Sequence, residues 1–176
     1  MSLNTKNHII IIICLIGAVV LYFGGVALTR TEQPAPAAHD HSHETEMADF
    51  INNLPTEFEP LASMGNALMD RGDFVLAVEC YRRALEVNPA STDVRTDLAA
   101  CQNSLGQNQE AVDNLLKVLA QQPDHKIAKF NLGVVYITMG DVATANQWWD
   151  SLLAENPPEE MRQRVLELRR QFESHP

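Results

Sequence analysis

Residues 61–89, "LASMGNALMDRGDFVLAVECYRRALEVNP", hold two helical patterns parted by a glycine and closed by a proline. The first helix is predicted over Glu59–Asp70 and ends at Gly72, a residue free to take the left-handed conformation that stops a helix. The second is predicted over Val75–Val87 and ends before Pro89, which cannot continue a helix and restricts the residue before it. Phe74, Leu76, Ala77, Val78, Tyr81, Ala84 and Leu85 make a wide apolar stripe, so this second helix must be buried along one side.

The same pattern returns twice, each time 34 residues later: Gly72, Gly106 and Gly140; Ala77, Ala111 and Ala145; Pro89, Pro123 and Pro157. A bulky slot is filled by Tyr81, Leu115 and Trp149. A facing slot, Met64, Leu98 and Leu132, is followed by a small residue, Gly65, Ala99 and Gly133. A pair of helices of this kind leaves an apolar face open until the next pair stacks on it, so the repeats form one continuous core.

Period, small and bulky slots and closing proline together resemble the tetratricopeptide repeat family over Phe58 to Pro157. The resemblance implies an all-α fold, a right-handed α-solenoid of three helix pairs at 58–91, 92–125 and 126–157. The family's first-helix tryptophan slot holds Leu61, Arg95 and Lys129 instead. "NLGVVYIT", Asn131–Thr138, is β-branched and would read as a strand by itself, but the repeat spacing on both sides overrides it and predicts helix.

The flanks extend the pattern. Met47, Phe50, Ile51 and Pro55 match second-helix spacing, so an extra helix is expected over 45–54. After Pro158, Met161, Val165, Leu168 and Phe172 recur at helical intervals and predict a capping helix within 158–176, with Arg162, Arg169 and Arg170 on its wet side. Trp148 and Trp149 cannot face the same way. Trp149 is expected in the core, and Trp148 against the C-terminal helix.

Ahead of the repeats lie a short tail (1–8), the uncharged run Ile9–Leu28, "IIIIICLIGAVVLYFGGVAL", and a tether over 29–44. Twenty apolar residues rising about 1.5 Å each span a hydrocarbon core of roughly 30 Å, and the run is longer than a signal-peptide core. A single-pass anchor is expected, with the repeats on the periplasmic side of a bacterial inner membrane. A signal peptide cleaved near Gly25–Ala27 is the rival. The tether, "TEQPAPAAHDHSHET" over 31–45, is rich in Pro, Ala and polar residues and reads as extended chain. Its alternate histidines, His39, His41 and His43, would share one side of an extended strand, a geometry open to two readings: convergence on a metal ion, or a solvated linker with no chemistry of its own.

The net charge of −10 argues against nucleic acid as a partner. Three cysteines are too few for a disulfide framework. Cys80 and Cys101 lie on consecutive helices and are either buried free thiols or one bridge. No nucleophile, phosphate loop or paired-acid arrangement stands out, so no catalytic residue, enzymatic activity or cofactor is assigned.

Function is therefore sought on the groove of the stacked repeats. By resemblance to the family, its wall comprises Glu59, Ala62, Ser63, Asn66 and Met69; Asp93, Thr96, Asp97, Ala100 and Asn103; and Ile127, Phe130, Asn131, Val134 and Ile137. Some members grip a terminal carboxylate with lysine, arginine and asparagine in these slots. Asn66 and Asn131 fit, but Ala62, Asp97 and Ile127 replace the cations, which argues against such a clamp. The third first-helix is apolar almost all round, so its groove side is expected to receive an apolar partner segment, the chain's own C-terminal helix or a second copy. Two function classes follow: a membrane-anchored scaffold for a protein or peptide, similar in plan to accessory proteins of cytochrome c maturation, or a metal-handling protein that uses the histidine tether.

Overall fold

The computed structural model describes residues 41–173. They form eight helices and no strand: α1 (His41–Asn52), α2 (Phe58–Asp70), α3 (Phe74–Val87), α4 (Thr92–Ser104), α5 (Asn108–Gln121), α6 (Lys126–Thr138), α7 (Val142–Ala154) and α8 (Glu159–Glu173). The chain divides into two units, Met1–Glu46 and Met47–Pro176, and all three repeats lie in the second. The expected anchor, 9–28, lies outside the described residues. Among the described residues no helix is long and apolar enough to cross a membrane.

The repeat glycines end the first helices as their spacing predicts. Gly72, Gly106 and Gly140 have φ of 81°, 75° and 80°. At each, the glycine N–H reaches back three residues and the next N–H reaches back five, as in Gly72 to Met69 O and Asp73 to Leu68 O, both 2.9 Å. This hydrogen-bonded stop satisfies carbonyls that the helix end would otherwise leave unpaired. The first helices begin with side-chain caps in two repeats: Ser91 Oγ accepts from the Val94 N–H at 3.4 Å, and one period later His125 Nδ1 accepts from the Ala128 N–H at 3.1 Å. Asp141 caps α7 through the Thr144 N–H at 3.0 Å. Hydrogen bonds from the Thr144 side chain and backbone hold its carboxyl below the ordinary value.

Each first helix packs on its own second helix, and each second helix of the first two repeats packs on the next first helix. Helix α4 also touches α2 and α6, so the three first helices line up side by side. "NLGVVYIT" falls within α6 and is helical, because the stack around it demands a helix whatever its local preference.

Small and bulky slots meet as complementary shapes. A Cβ on Gly65 would lie 2.5 Å from the Tyr81 ring, and one on Gly133 would overlap the Trp149 indole. Ala99 stands in the middle repeat, where the opposing residue is the smaller Leu115 and both are fully buried. Trp149 is wholly buried, and its Nε1–H donates to the Phe130 carbonyl at 3.1 Å.

Several side chains depart from the sequence expectation. Helix α1 starts at His41, inside the stretch read as extended tether, so the extended backbone assumed for converging histidines does not hold at His41 and His43. His39 lies outside the described residues. Trp148 packs on the middle core, which runs from Ala99, Ala111 and Leu115 to Leu132 and Val135 of α6, and not on the cluster around Val165 of the C-terminal helix. Arg169 is not on the wet side of α8: its Nη2 donates to Asp150 Oδ1 at 2.7 Å and to the Asn146 carbonyl at 3.0 Å, tying α8 to α7. Lys129 is 6% exposed and pairs with Glu155, while Leu61 fills the same slot of the first repeat as a plain core residue. Arg95, in the slot between them, donates to the Pro89 carbonyl at 2.7 Å and to Asn114 at 3.3 Å. Cys80 and Cys101 are free, and burial pushes both thiols up to about 11.

Candidate functional site

The side-by-side first helices α2, α4 and α6 turn Gly65, Leu68, Leu98, Ala99, Leu132 and Gly133 inward. Their remaining residues form the face expected to bind. On α2, Asn66 is exposed and its Oδ1 accepts the Tyr81 hydroxyl at 2.7 Å. The Met69 sulfur lies 3.8 Å from the same hydroxyl. Asn66 is thus positioned by the core tyrosine beneath it. Thr96 on α4 does not belong to the face: it is buried and donates to the Thr92 carbonyl at 2.8 Å. Asn103, half-buried, accepts from the Thr138 hydroxyl at 2.8 Å and bridges α4 to α6.

The apolar strip of α6 divides. Ile127 is 51% exposed. Phe130, Val134 and Ile137 are half-buried against Ala145, Trp149, Leu152 and Val165, a cluster to which α7 and α8 contribute. The chain's own C-terminal helix therefore helps to close part of the strip. It leaves an open cleft of about 690 Å³ between Phe130 on one side and Pro158, Met161 and Arg164 on the other. Asn131 is half-buried next to Phe130.

Across α4 the face is acidic. Asp97 is half-buried, and burial, then the charge of Asp93, raises its carboxyl above the ordinary value. Burial, then Asp97 and other neighbours including Asp70, pushes the Tyr81 hydroxyl above its ordinary value. Among the described residues neither Asp97 nor Asp70 enters an ion pair. Asp93 is almost fully exposed, with its Oδ1 3.8 Å from His125 Nε2.

His125 joins the two helices at this junction, capping α6 through Nδ1 and facing Asp93 through Nε2. The sequence carries the signal for the cap: His125 falls 34 residues after Ser91, which is itself a helix-capping residue type. Among the described residues, no group of three or more His, Cys, Asp or Glu side chains is placed to hold a metal ion.

Comparison with known proteins agrees with this architecture. The chain is 32% identical over 104 residues to Superkiller complex protein 3 of Mus musculus, a match covering 57% of this chain but only 7% of that protein. Two solved structures share the fold. YrrB, described as a tetratricopeptide repeat protein with an unusual peptide-binding site, superposes with a TM-score of 0.60 at 21% identity, over 72% of this chain and 68% of that one. The first repeat domain of Spaghetti (RPAP3), solved with the HSP90 peptide SRMEEVD, gives 0.57 at 16% identity, over 65% of this chain and 92% of that one. Residues 59–91 and 104–160 each match the tetratricopeptide repeat, about half of the sequence together, and the chain belongs to that family.

Proposed function

We propose that this protein is a membrane-anchored adaptor that binds an apolar-bearing segment of a partner protein on the face of α2, α4 and α6. The observation that carries this reading is the half-exposed Ile127 beside the open cleft at Phe130. An apolar wall of this kind, next to polar side chains fixed from below, is the common design of a peptide groove. YrrB, with its unusual peptide-binding site, and Spaghetti, bound to an HSP90 peptide, support it by fold alone.

The uncharged run 9–28 serves as the anchor, and the repeats stand on the periplasmic side. There the adaptor serves the assembly of an envelope complex, with cytochrome c maturation as the first system to examine. Loss of c-type cytochromes on deletion of the protein is the expected result, and unchanged levels would remove that assignment. Extraction from membranes by alkaline carbonate would remove the anchor.

Ile127→Asp is the variant of choice for the groove. Val134→Asp would strike a half-buried core neighbour and confuse unfolding with loss of binding. With Ile127→Asp, cross-linked partners recovered from the native membrane should fall about tenfold while the helical content stays constant, since a buried charge in an apolar contact costs at least 1.4 kcal/mol. Undiminished recovery would overturn the groove reading.

A further inference from the structure

We infer that the segment received by this face is positively charged, with a lysine or arginine placed against Asp97 and Asp93 and an apolar side chain against Ile127 and Phe130. The inference rests on the proposal that the face binds a protein segment and adds the chemistry of that segment.

The first ground is the distribution of charge. Five arginines are engaged with acids away from Asp97: Arg71 with Asp73, Arg83 with Glu79, Arg162 with Glu159, Arg164 with Glu167, and Arg169 with Asp150. Asp97 has no such partner among the described residues. The charged group that acts on it is another carboxylate, Asp93, and both lie close to the Tyr81 hydroxyl or to His125. A half-buried carboxylate beside a second acid is held at a disadvantage in the free protein, and an incoming cation relieves it.

The second ground is exclusion. An acidic segment would meet Asp93 and Asp97 with like charge. A second copy carries the same net charge of −10, so its approach to this acidic face is opposed. A metal ion does not fit, because the described acids do not gather into a ligand set. The third ground is continuity: His125 stands 3.8 Å from Asp93 and two residues before Ile127, so the acidic and apolar parts adjoin at the start of α6. One amphipathic segment can reach both.

The test uses the full-length protein in detergent micelles and three fluorescent peptides of equal length: an amphipathic Lys/Leu peptide, its Glu/Leu counterpart and a Lys/Ser counterpart. The Lys/Leu peptide should bind tightest. Asp97→Asn should weaken it about tenfold, as loss of one desolvated charge pair does. Asp93→Asn should act in the same direction, less strongly because Asp93 is exposed. Glu110→Gln with Asp113→Asn, exposed acids on α5, removes equal or greater charge away from the face and should change affinity less than twofold. Asp97→Asn should also raise the thermal midpoint, which a purely structural carboxylate would not do.

Equal weakening by the α5 control would overturn the inference, because the attraction would then be that of net charge alone. Tighter binding of the Glu/Leu peptide, lost in Ile127→Ser, would overturn the charge assignment and leave the groove reading standing. Failure of all three peptides to bind in an Ile127-dependent way would overturn both.

Discussion

The first and third repeats share one backbone plan and fill it differently. In the first, Leu61 occupies the tryptophan slot, and Tyr81 reaches past Gly65 to place its hydroxyl on Asn66 at 2.7 Å. In the third, Lys129 occupies that slot with Glu155 as its partner, and Trp149 fills the space over Gly133 and donates to a backbone carbonyl. The first repeat therefore sends a polar group outward to the binding face, whereas the third turns the polar groups of Lys129 and Trp149 inward and leaves Ile127 exposed. The repeat requires volume to be matched between slots, and it leaves the chemistry at the tip of each bulky residue free.

The sharpest way to break that matching is Gly133→Ala. The new methyl collides with a rigid, fully buried indole and should lower stability by about 3 kcal/mol, read by urea denaturation. Adding Trp149→Leu recreates the Ala99 and Leu115 combination of the middle repeat and should recover a substantial part of the loss. A double variant no more stable than the single one would show that volume matching is not what couples these slots.

The next effect concerns the Lys129 pair. Glu155→Gln leaves a buried ammonium without its counter-charge and should cost about 2 kcal/mol, below the full value for a buried pair because Glu155 retains 31% side-chain exposure. Lys129→Leu in the same background installs the first repeat's residue and should restore stability to near the parent. If Glu155→Gln is neutral, Lys129 is satisfied without it.

The smallest effect separates the acidic face from the apolar one. Asp97 has a native pKa above its ordinary 3.8, so the folded state holds its proton more tightly than the unfolded chain. Its contribution to stability is therefore greatest at pH below 3.8, falls as pH rises through the interval up to the raised value, and stays at its lowest above it. Asp97→Asn should abolish that part of the pH profile and give a higher thermal midpoint at neutral pH. An unchanged profile would mean that the carboxyl is solvated like any surface acid.

Much of the fold was legible because a fixed interval of 34 residues is a strong signal that survives local ambiguity. "NLGVVYIT" is the clearest instance: its β-branched run is outweighed by glycine, alanine and proline columns on either side. The candidate face was legible in part. Asn66, Met69, Asp97, Asn103 and Ile127 keep exposed or half-buried positions on the first helices. Thr96 does not, because α4 is buried on two sides, by its own partner helix and by α3 before it.

The sequence alone determined the number of helix pairs, their stops and the pairing of small with bulky residues, because these depend on backbone freedom and side-chain volume at regular positions. Tertiary structure alone decided where Lys129, Trp148 and Arg169 point and how much of the α6 strip remains open. Those outcomes depend on neighbours distant in sequence: Glu155 for the lysine, the middle core for the tryptophan, and α7 for the arginine. Amphipathic spacing shows that a helix has a buried side. Only the packed neighbours decide which long side chain can bend into it and find a partner there.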